Sequence, residues 1–457
     1  MEIQKNQEYI VDVIDNGYAG EGIAKINNFT IFIQGAIKGE KVKILILKVT
    51  KSFAYGKILE IIKRSDYRCN VDCTTFNKCG GCTLRHIKYE ETLNIKRNIV
   101  INCLYKNFHQ EVKVNETIGM EKPLHYRNKL QYPVGINNDG NPIIGIYSQR
   151  THNIIATDGA CFIQNEKSCD IAQDIFGFSV KHNIKPYDEK NNSGTLRHII
   201  IRAGFKTNEI MVVIVVNNDE FNDENEFVEE LTQKYPEIKT IVKNYNEKNT
   251  NVILGHKNKV IYGEGYIYDF LGNYKFKISP LSFYQVNPIQ TEILYNKAIE
   301  YASLTGKETI FDLYCGIGTI GIFASSKAKK VYGIEVVPQA IEDAKENAKL
   351  NQVSNAEFFA GEVEKILPDL IDHKCISADV AFIDPPRKGC DIVTIETLLK
   401  ILPQRIVYVS CNPATLARDI KLLEDKYILH EVQPVDMFPY TSHVECVAML
   451  QLKQDRK

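Results

Sequence analysis

The sequence has no tryptophan, no excess of either charge and no apolar run long enough to span a bilayer. A hydrocarbon core needs roughly 20 consecutive apolar residues as helix, so nothing here reads as a membrane segment. Fifty-six Lys+Arg stand against 57 Asp+Glu, so a polyanion partner must be met by a local patch rather than by a global basic field. The N-terminus, Met1-Glu2-Ile3-Gln4-Lys5-Asn6, lacks the apolar stretch of a secretion signal, and a cytoplasmic protein is expected. In that reducing compartment the twelve cysteines are not expected to pair as structural disulfides. Internal repeats are absent, and the polar loops 189–193 and 217–225 are the only biased tracts.

What is present divides into three stretches. Residues 1–63 read as short strands (9–14, 29–33, 40–47, 54–61) separated by glycine turns such as Gly17-Tyr18-Ala19-Gly20-Glu21-Gly22, the pattern of a small OB-like barrel. Lys38, Lys41, Lys43, Lys48, Lys51 and Lys57 gather in its second half beside Phe53 and Tyr55. Lysines among aromatics suit RNA phosphate and base stacking, although a solvated barrel surface has the same composition.

Residues 64–275 begin with Cys73, Cys79 and Cys82 in the spacing C-x5-C-x2-C, with Gly80-Gly81 letting the backbone fold tightly around an ion or cluster. Such a run signals zinc or iron–sulfur. No H-x3-5-H and no second C-x2-C follows to complete a zinc finger. A distant fourth cysteine around an iron–sulfur cluster fits better, with Cys161 or Cys169 to supply it. One amphipathic helix is predicted over 85–108. Strands over 128–134, 143–147, 153–156, 197–202, 210–216, 240–242 and 260–262 then predict a mostly antiparallel β domain.

From 276 to 457 short strands alternate with helices, which predicts a doubly wound parallel sheet. Strand 309–313 runs into Tyr314-Cys315-Gly316-Ile317-Gly318-Thr319. Strand 330–334 ends in Glu335, and strand 380–383 in Asp384-Pro385-Pro386-Arg387. Strand 406–409 ends in Ser410-Cys411-Asn412-Pro413. Pro413 stops that strand, and Thr415 is placed as the cap of a helix from Leu416. Cys411 then stands on a turn at the carboxyl end of a strand, where open α/β sheets hold ligands. A cysteine taken alone is more often simply buried.

Gly316, Gly318 and Gly321 satisfy G-x-G-x-x-G, with the acidic Glu335 about twenty residues on. That pattern admits a nicotinamide dinucleotide. Asp312, just before the turn, is expected to repel a pyrophosphate and to favour S-adenosylmethionine, whose aminoacyl end carries an ammonium group. Asp384-Pro385-Pro386-Arg387 resembles the Asp/Asn-Pro-Pro-aromatic loop of amino-group methyltransferases, but with Arg in the stacking position.

Four motifs together carry a wider resemblance: Asp312-Leu313-Tyr314-Cys315-Gly316-Ile317-Gly318-Thr319, Asp384-Pro385-Pro386-Arg387-Lys388-Gly389, Ser410-Cys411-Asn412-Pro413 and Ser442-His443-Val444-Glu445. The chain resembles the RNA uracil-C5 methyltransferases over nearly its whole length. Its barrel looks like a TRAM domain and its cysteine run like that family's [4Fe-4S] site. The resemblance implies cluster ligands Cys73, Cys79, Cys82 and Cys161, with Cys69 as an extra neighbour. It implies Cys411 as nucleophile and Glu445 as base, and S-adenosylmethionine contacts at Gln285, Tyr314, Glu335 and Asp384 beside Gly316 and Gly318 of the turn. TRAM plus cysteine run is similar to the branch that modifies 23S ribosomal RNA, the transfer-RNA branch generally lacking both.

The chemistry asks for these residue types. C5 of uracil is a poor nucleophile, so a thiolate adds to C6 first. A base must then remove the C5 proton before the thiol leaves. The uracil has to be reached outside any stack. A monomeric uridine C5-methyltransferase of RNA, ribosomal rather than transfer RNA, is therefore expected. An oxidoreductase using a nicotinamide cofactor and a non-catalytic RNA-binding iron–sulfur sensor are the alternatives from other classes.

Overall fold

The computed structural model describes residues 3–109, 111–149, 151–157 and 161–454. Among them no helix is long and apolar enough to cross a membrane.

The N-terminal six-stranded sheet is ordered Glu8–Asp12, Lys41–Val49, Phe53–Lys63, Phe29–Gln34, Gly22–Ile26, Asp15–Asn16. Period-2 alternation in Lys41–Val49 sends Val42, Ile44 and Ile46 into the core and Lys41 and Lys43 outward. The Gly22–Ile26 strand was not anticipated, because only its glycine turn stands out in the sequence. Lys43 is taken up by Glu8 at 2.7 Å, which leaves it a poorer candidate for phosphate than Lys41 or Lys51. Phe32, Phe53 and Tyr55 form an aromatic cluster, with Phe53 5.4 Å from each neighbour.

The central seven-stranded sheet is ordered Lys257–Gly263, Ile238–Tyr245, Ile210–Val216, Leu196–Ala203, Lys129–Ile136, Pro142–Tyr147, Ile154–Ala156. Every residue of Leu196–Ala203 and of Ile210–Val216 is buried. Strands covered on both faces read as continuous apolar runs, here Ile-Met-Val-Val-Ile-Val-Val. The mostly antiparallel sheet expected here also carries two helices that were not anticipated, Glu166–Lys181 and Glu224–Lys234, which cover one face. The second is a crossover. It makes Ile210–Val216 and Ile238–Tyr245 parallel, since parallel neighbours need such a connection.

The C-terminal seven-stranded sheet is ordered Ala356–Ala360, Lys330–Glu335, Thr309–Leu313, Val380–Ile383, Arg405–Ser410, Glu445–Leu452, Tyr427–Val435. The first five strands and the edge strand Tyr427–Val435 run in one direction, and only Glu445–Leu452, inserted between Arg405–Ser410 and Tyr427–Val435, runs against them. The helix predicted over 85–108 begins at Tyr89 and ends at Phe108. It packs Ile95, Ile99 and Leu104 into the same core as Leu416 and Ile420 of the Pro413–Leu423 helix.

Within that packing Lys96 and Asp436, both at 0% exposure, form an ion pair. Tyr89 Oη donates to the second Asp436 oxygen at 2.7 Å, and Lys96 Nζ also donates to Phe438 O at 3.0 Å. Removing one member of such a pair strands the other charge in the interior. Lys96→Ala should therefore cost about 3–5 kcal/mol in denaturant unfolding. A loss under roughly 1 kcal/mol would show that the pair does not hold this part of the fold.

Candidate active site

A cavity of about 720 Å³ opens at the carboxyl ends of the parallel strands. Thr309–Leu313 there pairs with Lys330–Glu335 on one side and Val380–Ile383 on the other, the switch point at which doubly wound sheets hold ligands. Gln285, Tyr314, Gly316, Glu335, Asp384, Cys411 and Glu445 all line it. Gly318 does not. With φ +81° it starts the Thr319–Ser325 helix, and a Cβ there would stand 3.0 Å from the Phe358 ring. Glycine is needed for the turn rather than for a ligand.

Asp312 lies beneath the turn at 0% exposure, its Oδ2 accepting the Gly321 N–H at 2.8 Å and its Oδ1 without a partner. It is absent from the cavity wall, so any effect it has on a ligand is exerted through the turn and not by contact. Glu335 accepts the Gly316 N–H at 3.2 Å and the Val337 N–H at 3.0 Å. Its carboxylate thus braces the glycine turn and keeps lone pairs for a ligand. Tyr314 has φ +65°, a left-handed conformation that costs a non-glycine residue roughly 1–2 kcal/mol.

The Cys411 turn differs from expectation in one respect. Asn412, not Thr415, caps the helix, its Oδ1 accepting the Ala414 N–H at 3.0 Å with Pro413 in the first turn. Proline at that position fits because its missing N–H has no partner to lose. Thr415 instead donates to Asn412 O at 3.1 Å. Glu445 reaches the same place through sheet register: it opens the strand Glu445–Leu452, in which Cys446 pairs with Ser410. Residues distant in sequence therefore lie side by side.

The cavity is rich in weakened acids. Burial, then the charges of Glu445 and Asp384, push the Cys411 thiol up to about 11, Arg387 acting against them. Burial and Asp384 push Glu445 up to about 8, again with Arg387 opposing. Asp384 is pushed up to about 7 by burial and by Asp312. An entering cation would lower all three. Arg127, Tyr295 and Phe438 also line it, and none carries a sequence signal.

A second cavity of about 210 Å³ is lined by Cys73, Cys79, Cys82 and Cys161. Cys169 is outside it, buried with its Sγ 3.7 Å from Tyr132 Oη. Cys69 Sγ is 3.4 Å from Arg85 O. The Gly81 N–H donates to Cys79 Sγ at 3.2 Å. Burial pushes the Cys82 thiol up to about 12 and raises Cys79 and Cys161, with neighbouring thiols adding to each. Cys73, Cys79, Cys82 and Cys161 are sulfur donors of the kind that thiophilic metal groups take. Among the described residues no three His, Cys, Asp or Glu side chains converge as on a single ion. Arg127 lines this cavity as well as the larger one.

Residues 207–453 match the tRNA (uracil-5-)-methyltransferase family and residues 3–59 match the TRAM domain. An RNA methyltransferase of Clostridium tetani, described as uncharacterized, is 49% identical over 456 residues, covering 100% of this chain and 98% of the relative. One from Oceanobacillus iheyensis is 46% identical, covering 99% and 98%. The crystal structure of Pyrococcus abyssi tRNA (uracil-54, C5)-methyltransferase with S-adenosyl-L-homocysteine superposes with TM-score 0.76 at 27% identity, over 96% of this chain and 99% of that one. The chain belongs to the tRNA (uracil-5-)-methyltransferase family, as an RNA methyltransferase carrying an N-terminal TRAM domain.

Proposed function

We propose that this S-adenosylmethionine-dependent RNA methyltransferase makes 5-methyluridine through a covalent bond between Cys411 and C6 of the uracil. The observation that carries the proposal is the placing of Cys411 and Glu445 in one cavity with Gln285, Tyr314, Gly316, Glu335 and Asp384. Cys411 adds to C6 as a thiolate, which makes C5 the nucleophile. S-adenosylmethionine, when bound, supplies the methyl group from a sulfonium. Glu445 then takes the C5 proton, and the C6–Sγ bond breaks to release Cys411. The same buried environment that raises Glu445 makes it a proton acceptor of useful strength near neutral pH. Gln285, Tyr314, Glu335 and Asp384 are assigned to the methyl donor, Gly316 and Gly318 to the turn beneath it.

Ribosomal RNA is the proposed substrate, supported by the combination of TRAM domain and cysteine run. A transfer-RNA substrate is the second reading, favoured by the Pyrococcus enzyme, which is named for tRNA and yet covers 96% of this chain. A [4Fe-4S] cluster on Cys73, Cys79, Cys82 and Cys161 is also proposed, supported by their shared cavity. Its volume suits a cluster better than one ion, whose four sulfurs would close to about 2.3 Å from the metal.

Incubated with RNA from a deletion strain, wild-type protein should label ribosomal RNA and leave transfer RNA unlabelled. Labelled transfer RNA alone would install the second reading. Cys411→Ala should label neither, whereas Glu445→Gln should accumulate methylated RNA bound to Cys411, seen as a shifted band under denaturing conditions. Normal turnover by either variant would remove that residue from the mechanism.

The charge logic has its own test. An acid raised by burial and like charges falls when a cation enters. The pH midpoint of Cys411 alkylation should therefore be lower with sinefungin, which carries an amine, than with neutral S-adenosylhomocysteine. Equal midpoints would show that ligand charge does not set thiol ionisation.

Protein purified without oxygen should contain about four iron atoms with matching sulfide, and Cys79→Ser should lose them. Stoichiometric zinc in place of iron would overturn the cluster.

A further inference from the structure

The turn Gly17-Tyr18-Ala19-Gly20-Glu21-Gly22 belongs by sequence to the barrel, where the Gly17 N–H closes it on Glu21 O at 2.7 Å. It nevertheless reaches residues of the other units at two points. Gly20, at φ +84°, sits so close that a Cβ would stand 2.6 Å from Leu84 Cδ2 and 3.6 Å from Ser442 Cβ. Tyr18 Oη donates to Asn412 Oδ1 at 3.2 Å, across 394 residues of chain. Asn412 follows Cys411 directly. Its Oδ1 also accepts the Ala414 N–H, and its Nδ2 donates to Arg387 O at 3.1 Å. Burial raises the Tyr18 phenol, with Cys411 adding to the rise and Arg387 opposing it, so the hydroxyl keeps its proton to donate.

We propose that Tyr18, contributed by the TRAM barrel, is a positioning residue for Cys411. The inference rests on Cys411 being the nucleophile. Three bonds fix the Asn412 amide plane: one within the helix cap, one to the Asp384-Pro385-Pro386-Arg387 loop, and one from the barrel. Attack on C6 requires the sulfur to be held within reach at about 3–3.5 Å in the right direction, and the barrel supplies one of the constraints on its turn. The module that binds RNA thus also helps align the group that attacks it. Tyr18 is 50% exposed, so its ring is free to touch RNA as well, and the test separates the two roles.

Full-length Tyr18→Phe removes only the hydroxyl. Single-turnover adduct formation with saturating 5-fluorouridine RNA, in which fluorine stands where the C5 proton must leave, reads the steps up to methyl transfer without the release of Cys411. A lost hydrogen bond of ordinary strength corresponds to roughly a five-fold slower rate, with RNA and S-adenosylmethionine affinities unchanged. In an Asn412→Ser background, where the cap is kept and the acceptor is lost, Tyr18→Phe should have no further effect. A Tyr18→Phe rate equal to wild type, or a loss of RNA affinity with the saturated rate intact, overturns the proposal. Wild-type protein that forms no adduct overturns the nucleophile assignment and this inference with it. Wild type that forms one beside an equally fast Tyr18→Phe overturns this inference alone.

Discussion

The buried pair of Lys96 and Asp436 is the interaction on which the placement of the site depends. Taking both charges out of water costs several kcal/mol per ion, offset here by their contact and by the bonds from Tyr89 Oη and to Phe438 O. What it secures is the irregular stretch 436–444 between the strands Tyr427–Val435 and Glu445–Leu452, whose backbone lies outside the sheet ladder. Residues from before and after the Tyr89–Phe108 helix do that instead. Tyr126 Oη donates to Pro439 O, the Thr83 and Leu84 N–H groups to Tyr440 O, and the Ser442 N–H to Thr83 Oγ1. Arg85 stacks over the Tyr440 ring at 4.9 Å. Since Thr83 follows Cys82, the cysteine cavity and the carboxylate Glu445 are fastened to one strap.

That arrangement explains why acids as uncomfortable as these persist. A carboxyl held well above its ordinary range weakens the folded state at neutral pH. For Glu445 the loss accrues as pH rises from about 4.5, its ordinary value, to about 8, its value in the fold. Asp384 behaves alike up to about 7. Both carboxyls are buried at strand ends, and a cation entering the cavity would relieve the cost by lowering them. Poor solvation of the acids and preference for a cation are one property.

Much of this was legible in the chain. The parallel strands announced themselves as short apolar runs ending in glycine, acid-proline or cysteine turns, and those ends form the cavity wall. Cys411 and Glu445 were legible as motif members but not as neighbours, since sheet register alone brings them together. The helix Glu224–Lys234 escaped because it fully buries only Phe227 and Leu231, too sparse a stripe to stand out among polar residues. Thr415 was mistaken for the cap because proline and a capping asparagine beside it offer a competing local solution. That Asp312 would brace the glycine turn from beneath, accepting the Gly321 N–H, was not legible from its place before the turn. Tyr18 and Arg127 had no local pattern at all, for their roles arise only from packing between units far apart in sequence.

The three sheets divide the labour in a way that follows from their cores. Strand ends of the C-terminal sheet carry Asp384, Cys411 and Glu445, because a packed sheet fixes side chains better than a loop does. Each loop that completes the site is instead held by another unit. Asn128, ahead of the central sheet, donates to Gln285 O at 3.0 Å, and Asn287 Nδ2 donates to Met437 O at 3.1 Å. The stretch 282–287 is thereby stretched between the central unit and the 436–445 strap, and the barrel turn closes on Asn412 from the other side. No single core builds the cavity: its wall joins Arg127, ahead of the central sheet, to the C-terminal strand ends and the 282–287 stretch. A site assembled in this way ties the chemistry to the intact chain, and makes contacts remote from the sulfur, such as the Lys96–Asp436 pair, part of what aligns it.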